Sequence, residues 1–301
     1  MIIKVFDSVP QSGVFPCKDV ITKVKSVVWN DRFYKTGNFQ LSLPDTDLKP
    51  MDVIQLKNRA GLVLKVVKST SAEVYGYDLK CLFNFRYFNA EAAYSGTAEE
   101  ILYAVARDLL KTGDREIEGL TVPTTPYLNL SETVTLNAEV KGAADVLYEF
   151  CLNNELGYDV SFNEETGYTL AALKGRDMTD KINFSRKERN LDSAEYTSDL
   201  MGLVNVAYTK EGTEGAGTGI NRREGSKIAE AVETLRGTAN DRLEFGKDWL
   251  LGDYVTVTYK DFTAKKQITE VKTVIEPNNK KTIPVFGTEK ENPISKILKQ
   301  Y

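Results

Sequence analysis

From Asn38 the sequence alternates without a break: Phe39, Leu41 and Leu43 fall on one side, Asn38, Gln40 and Ser42 on the other. A strict period of two is the signature of a half-buried strand, because a helix would scatter those side chains around its circumference. Pro44 closes the run, having no N–H to give to the next rung of a ladder. Upstream, Val20, Thr22, Val24, Ser26 and Val28 form one face of a second strand, with Lys23 and Lys25 on the other. Lys35-Thr36-Gly37 is the expected turn between the two, with Gly37 free to take a positive φ.

The same texture extends over the first 90 or so residues. Val53 and Leu56 continue past Met51-Asp52, Asn58-Arg59-Ala60-Gly61 reads as a turn, and Leu62 to Val67 is a strand rich in β-branched residues. Val74, Tyr75 and Tyr77 lead into an expected strand on which Cys81, Phe83, Phe85 and Tyr87 share a face. At Thr97 the pattern changes to helix. Thr97-Ala98-Glu99-Glu100 fits a capping box, and Ile101, Leu102, Val105, Ala106 and Leu109 make a helical stripe that stops at Thr112-Gly113. A second helix is expected from Ala143 to Leu156, burying Val146, Leu147, Phe150 and Cys151, with Gly157 as its cap. Tyr158–Phe162 and Tyr168–Leu173 then pair as a hairpin across residues 163–167.

Further on, Val204–Tyr208 reads as a strand, Ser226–Arg236 as a surface helix carrying Ile228, Val232 and Leu235 and ended by Gly237, and Trp249–Asp253 as a turn into the strand Tyr254–Tyr259. Ile268–Val271 and Thr282–Gly287 form the closing strands around Glu276–Asn279. The chain is α+β and mainly β: strand-rich segments at 1–91 and 185–290 flank a smaller mixed α/β region at 92–184 with two helices and a hairpin, and 291–301 is a tail.

Composition removes several functions. Charged residues at 27% and hydrophobic ones at 42% describe an ordinary globular chain, and 301 residues suit two or three domains. A net charge of -4 offers no electrostatic footprint for specific nucleic-acid binding. Cys17, Cys81 and Cys151 are odd in number and far apart, so they are expected to be small buried residues rather than a disulfide framework or zinc site. Met1–Asp7 does not read as a secretory leader, and no apolar run approaches the ~20 residues of a membrane helix, so neither export nor a membrane anchor is expected. There is no histidine, which excludes Ser-His-Asp and Cys-His nucleophiles and imidazole metal ligands.

Four stretches invite a site and each has a plainer reading. Aromatics beside Arg86 could stack on bases or sugars, but a period-two aromatic face normally forms the core of a sheet. Gly175-Arg176-Asp177 follows a strand; neighbouring residues on extended backbone face opposite ways, so Arg176 and Asp177 are expected to anchor a turn or subunit contact through separate partners. Arg186, Lys187 and Arg189 read as a solvated edge. The glycine-rich loop 211–219 fails both phosphate templates: Ile220 stands where a dinucleotide fingerprint needs Gly, and Thr218 where a P-loop needs Lys. No catalytic, cofactor-binding or metal-binding residue is nominated.

An aromatic-Asn-Asp-Arg-aromatic-aromatic run (Trp29–Tyr34), then Gly37, the Phe-x-Leu-x-Leu alternation and Pro44 resemble the phage and prophage tail proteins of the Gp37-like family. The resemblance continues at the capped helix, at Leu156-Gly157-Tyr158, at Gly175-Arg176-Asp177, at Asn190-Leu191 with Tyr196 and Asn205, at Leu251-Gly252-Asp253 and at Pro284-x-Phe286-Gly287. It implies a structural baseplate or tail-tip hub, similar to those of long-tailed phages: two small β-barrels per subunit, assembled as a homotrimer between a six-fold tail tube or distal tail protein and a three-fold spike or tip. It also implies assembly in the bacterial cytoplasm into a virion tail or tail-like particle, and no enzymatic activity. The other readings are a cell-wall polysaccharide hydrolase using a carboxylate pair drawn from Glu164, Glu165, Asp177 and Asp253, and a β-rich receptor- or sugar-binding module.

Overall fold

The computed structural model describes residues 1–199, 207–209, 212–214, 232–239, 242–260 and 262–287. The first strands are β1 (Ile3–Phe6), β2 (Cys17–Ile21), β3 (Ser26–Arg32), β4 (Asn38–Leu43), β5 (Val53–Leu56), β6 (Arg59–Lys68) and β7 (Ala72–Asp78). They pair antiparallel in the order β2-β1-β5-β6-β7-β4-β3. On β4 the alternation holds, with Phe39, Leu41 and Leu43 buried and Gln40 exposed.

The middle of the chain supplies β8 (Ala92–Gly96), α1 (Ala98–Leu110), β9 (Leu120–Thr121), β10 (Val134–Ala138), α2 (Ala143–Asn153), β11 (Leu156–Asn163) and β12 (Gly167–Lys174). α1 starts on the expected capping box: Thr97 Oγ1 accepts from the Glu100 amide at 3.3 Å while the Thr97 amide donates to Glu100 Oε2 at 2.8 Å. Its apolar stripe Ile101, Leu102, Val105, Ala106 and Leu109 is buried. β11 and β12 form the expected hairpin, with β9 added parallel to β12.

Last come β13 (Asn183–Ser185), β14 (Leu191–Asp199), β15 (Ala207–Thr209), β16 (Gly212–Glu214), β17 (Val232–Ala239), β18 (Tyr254–Tyr259), β19 (Phe262–Glu276) and β20 (Asn279–Phe286). β19 is the longest of the described strands and joins the two strand-rich segments. Its first part pairs with β18, its second with β3 from Glu270↔Arg32 to Ile275↔Val27, and β20 lies on its other edge. Among the described residues the main sheet is an open path from β14 through β17, β20, β19 and β3 to the exposed edge strand β2.

Among the described residues three apolar cores result. One lies within the first strands around Trp29, Phe39 and Leu41, and one around Phe184, Trp249, Val257 and Phe286. The largest does not stop at the boundary between the first strands and the mixed region: it joins Phe6, Phe15 and Phe33 to α1, α2 and the β11–β12 hairpin. Phe15, for instance, meets Phe162 and Tyr168 edge-on at 5.1 and 5.2 Å between ring centres.

Several expectations are corrected. Cys81–Tyr87 is not a strand: Leu79–Phe83 is a 3₁₀ helix capped by Asp78, whose carboxylate takes the Lys80 amide and draws the backbone out of the ladder. Cys81 and Phe83 are buried there, but Phe85 and Tyr87 are exposed. Residues 226–231 of the expected helix lie outside the described residues, and Val232–Arg236 belongs to β17, held by ladders to β14 and β20. Gly237 pairs with Ala194 instead of capping a helix. An apolar stripe of three residues is weaker than two flanking strands, so the sheet prevails. α2 ends at Asn153, and Gly157 lies within β11. The proposed face from Val20 to Val28 is broken between β2 and β3, and Val27 and Trp29 are the buried pair. Arg59–Gly61 already belongs to β6, leaving Lys57-Asn58 as the turn. Cys17 is exposed, unlike the buried Cys81 and Cys151. Val204–Val206, Gly215–Gly219 and residues 288–301 lie outside the described residues, whereas Ala207–Thr209 of β15 pairs with Gly212–Glu214 of β16.

Candidate functional site: the junction of the three cores

The run Trp29–Tyr34 sends consecutive side chains to separate parts of the chain. Trp29 is buried and stacks on Phe39 of the adjacent strand, with ring centres 4.8 Å apart. Asn30 Nδ2 donates to Asn38 Oδ1 at 2.5 Å. Asp31 accepts two bonds from Arg59, at 3.2 Å from Nε and 2.5 Å from Nη2, and Nη2 also reaches Thr273 Oγ1 on β19 at 2.9 Å. Arg32 Nε donates to Glu270 Oε2 at 3.0 Å. Tyr34 donates from its hydroxyl to Gln267 Oε1.

Phe33 is the centre of this arrangement. Its ring lies so close to the backbone of Gly157 on β11 and of Gly252 before β18 that a Cβ there would stand 2.4 and 2.2 Å from ring atoms. Those two glycines are required by close approach, so one aromatic ring sits between the mixed region and the C-terminal strands. Gly37 has the same explanation: a Cβ would lie 2.2 Å from the Asn30 carbonyl oxygen, and its φ is not positive as expected from the sequence.

Beside Phe33 lies a group of poorly solvated charges. Asp78 Oδ2 accepts from the Gly37 amide at 2.8 Å and is 3.5 Å from Lys80 Nζ, which also donates to the Arg32 carbonyl. Burial raises the Asp78 carboxyl to about 6, against the opposing influence of Lys80 and the Gly37 N–H. Burial likewise raises Asp31, with Arg59 opposing it, although 18% of its side chain stays exposed. Asp31, Arg59, Asp78 and Lys80 line a cavity of about 1280 Å³ between the first strands, β11 and the C-terminal strands. Each of these charges is met by a partner of opposite sign, which suits a junction holding segments in register.

Arg176 and Asp177 engage separate partners, as their alternation requires. Arg176 forms a two-pronged pair with the buried Asp253 at 3.0 and 2.6 Å, whereas the exposed Asp177 takes Lys265 Nζ at 2.7 Å and Thr179. Those contacts, led by the Lys265 bond, hold the Asp177 carboxyl well below the usual range. Glu164 is paired to Lys4 at 3.0 Å and Glu165 is exposed in the hairpin turn. Of the four acids weighed as a hydrolytic pair, Glu165 therefore serves a hairpin turn and Glu164, Asp177 and Asp253 three separate ion pairs. Asn190 Oδ1 accepts from the Ser185 amide and its Nδ2 donates to the Asn183 carbonyl, both at 2.8 Å, fixing the entry to β14. Among the described residues no group of three or more His, Cys, Asp or Glu is placed to hold a metal ion. No helix there is long and apolar enough to cross a membrane.

Sequence reasoning missed Arg59, Lys80, Asp78 and Glu99. Glu99 is fully buried and accepts from the Tyr103 hydroxyl and from the amides of Tyr127 and Leu128 at 2.9 to 3.0 Å, tying a distant loop to α1. The pattern offers no signal for it beyond its place in the first helical turn.

The fold has known counterparts. The prophage tail protein gp18 of Listeria monocytogenes EGD-e superposes with a TM-score of 0.56 at 14% identity, over 100% of this chain and 98% of that one. The 43 kDa tail protein of prophage MuSo2 from Shewanella oneidensis gives 0.55 at 8% identity, over 95% and 97%. A chain of the phage P2 baseplate in its activated conformation gives 0.51 at 11% identity, over 97% and 100%. At such identities the likeness is one of fold, a mainly β architecture similar to phage tail and baseplate proteins. No curated protein matches the sequence. The family model described as Siphovirus ReqiPepy6 Gp37-like protein matches residues 12–234, which include the Trp29–Tyr34 run, Gly37 and Gly157, and the chain belongs to that family.

Proposed function

We propose that this protein is a structural component of a phage, prophage or tailocin-like tail, acting by assembly as a baseplate or tail-tip hub between the tail tube and a spike or tip. The observation that carries this reading is the whole-length likeness to tail and baseplate folds in a chain of the siphovirus Gp37-like family. The strand-rich modules at 1–91 and 185–290 act as two small barrels flanking the mixed region 92–184. Three copies then offer six modules to a six-fold tube while keeping three-fold symmetry for the spike. The exposed edge strand β2 supports self-association, because an open sheet edge is a template for another strand. Assembly takes place in the bacterial cytoplasm, and the product is a virion tail or tail-like particle.

The test is a tagged chain expressed with its neighbouring tail genes, followed by electron microscopy of the particles and protein counting by quantitative mass spectrometry. Label at the distal tail end with three copies per particle is the expected outcome. Label distributed along the tube, or a copy number that is not three, would overturn the hub assignment.

A further inference from the structure

The outward face of the first sheet carries a pattern of tyrosine rings, amides and lysines. Register places Lys272, Asn30, Asn38 and Tyr77 on one rung across β19, β3, β4 and β7. Val28, Gln40, Tyr75 and Lys65 form the next rung, continuing onto β6. Alternation puts these side chains on the face opposite Trp29, Phe39 and Leu41. Together with Leu64 they line a depression of about 580 Å³.

The chemistry of that depression is specific. Tyr75 and Tyr77 are 36% and 39% exposed, two rings on the same side of one strand. Three amide side chains lie beside them, and Asn30 keeps one amide atom buried with no hydrogen-bond partner after its bond to Asn38. Lys65 and Lys272 stand at opposite ends, and among the described residues neither makes an ion pair; Lys65 lies 5.7 Å from the Tyr75 ring centre. The acids on this face are occupied, Glu73 by Gln40 at 3.1 Å and Ser42 at 2.7 Å, and Glu270, two residues from Lys272, by Arg32 at 3.0 Å.

We propose that this face binds an acidic oligosaccharide. Sugar rings offer C–H faces to the tyrosines, hydroxyls supply donors and acceptors to the amides, and carboxylate or phosphate substituents meet the two lysines. A protein partner would favour an apolar centre with a polar rim, whereas here amides occupy the middle. The site is independent of the hub assignment, and either can fail without the other.

Titration calorimetry on the full chain, with tetragalacturonate, sialyllactose and a glycerol-phosphate oligomer as acidic probes and maltotetraose and chitotetraose as neutral ones, tests the site. At least one acidic sugar should bind, with the neutral ones at least about tenfold weaker. Replacing both rings (Y75A/Y77A) should weaken binding about tenfold at an unchanged melting temperature, as two lost ring contacts imply. K65Q/K272Q should weaken it and remove its salt dependence. Absence of binding by all three acidic probes, full affinity in Y75A/Y77A, or equal binding of inorganic phosphate alone would overturn the proposal.

Discussion

Phe33→Ala is the sharpest perturbation of the junction. The ring is 1% exposed, meets Tyr34 edge-on at 4.9 Å between centres and fills the gap left by the missing side chains of Gly157 and Gly252. Truncating a buried phenylalanine costs about 3–5 kcal/mol, a large share of the ~5–15 kcal/mol that keeps a domain folded. Gly157→Ala alone should cost about 1–3 kcal/mol, because its new Cβ would stand 2.4 Å from the ring and one of the two must move. Its φ is not positive, so the penalty is steric and belongs to Phe33. In the F33A background the same substitution should then cost less than about 0.5 kcal/mol, giving a coupling of about 0.5–3 kcal/mol in the double-mutant cycle. Urea unfolding followed by tryptophan fluorescence reads this out. Trp29 lies in the first core and Trp249 in the C-terminal one, so single-tryptophan versions report on both sides of the junction. Additive costs, or an F33A loss below about 1 kcal/mol, would refute the idea that this ring holds the segments together.

Other outcomes follow from the same geometry. The folded carboxyl of Asp78 sits at about 6, above its ordinary 3.8, so its contribution to stability is fully present below that ordinary value and is lost as pH rises through about 6. Asp78→Asn should flatten this slope in urea melts between pH 4 and 7, and an unchanged slope would count against the assignment. Arg59→Ala strands the Asp31 carboxylate and should cost roughly 2–4 kcal/mol, the lower part of the range because the pair keeps some exposure; replacing both partners by apolar residues should cost less. Thr97→Ala removes half of the capping box and should lower stability by about 1 kcal/mol, seen as a reduced thermal midpoint with helical circular dichroism kept at low temperature.

Much of the local structure was legible in the sequence. The alternation on β4, the capping box and stripe of α1, the β11–β12 hairpin, and the separate engagements of Arg176 and Asp177 all rest on residues a few positions apart. Such features follow from backbone periodicity and short-range hydrogen bonding, which the order of residues states directly. Reading failed where a pattern had two physical solutions. The aromatic run at Cys81–Tyr87 has a period that a strand and a turn of 3₁₀ helix followed by a loop can both accommodate, and the Asp78 carboxylate decided between them. Val232–Arg236 has a sparse helical stripe and became a strand because neighbours were available on both edges.

By itself the sequence determined that Asn38–Leu43 is a strand with one wet face, that the β11–β12 hairpin forms, where α1 begins, and, through the Trp29–Tyr34 run and the motifs after it, the family to which the chain belongs. Tertiary structure alone decided that β3 and β19 share a ladder, that Arg32 meets Glu270 across 238 positions, that Lys80 is drawn inside, and that Phe33 needs two bare backbones beside it. The division has a physical cause. Propensity and capping act within about a turn of the residue concerned, whereas the partner of an open strand edge or a buried charge is chosen by packing among segments that the chain brings together only once it has folded.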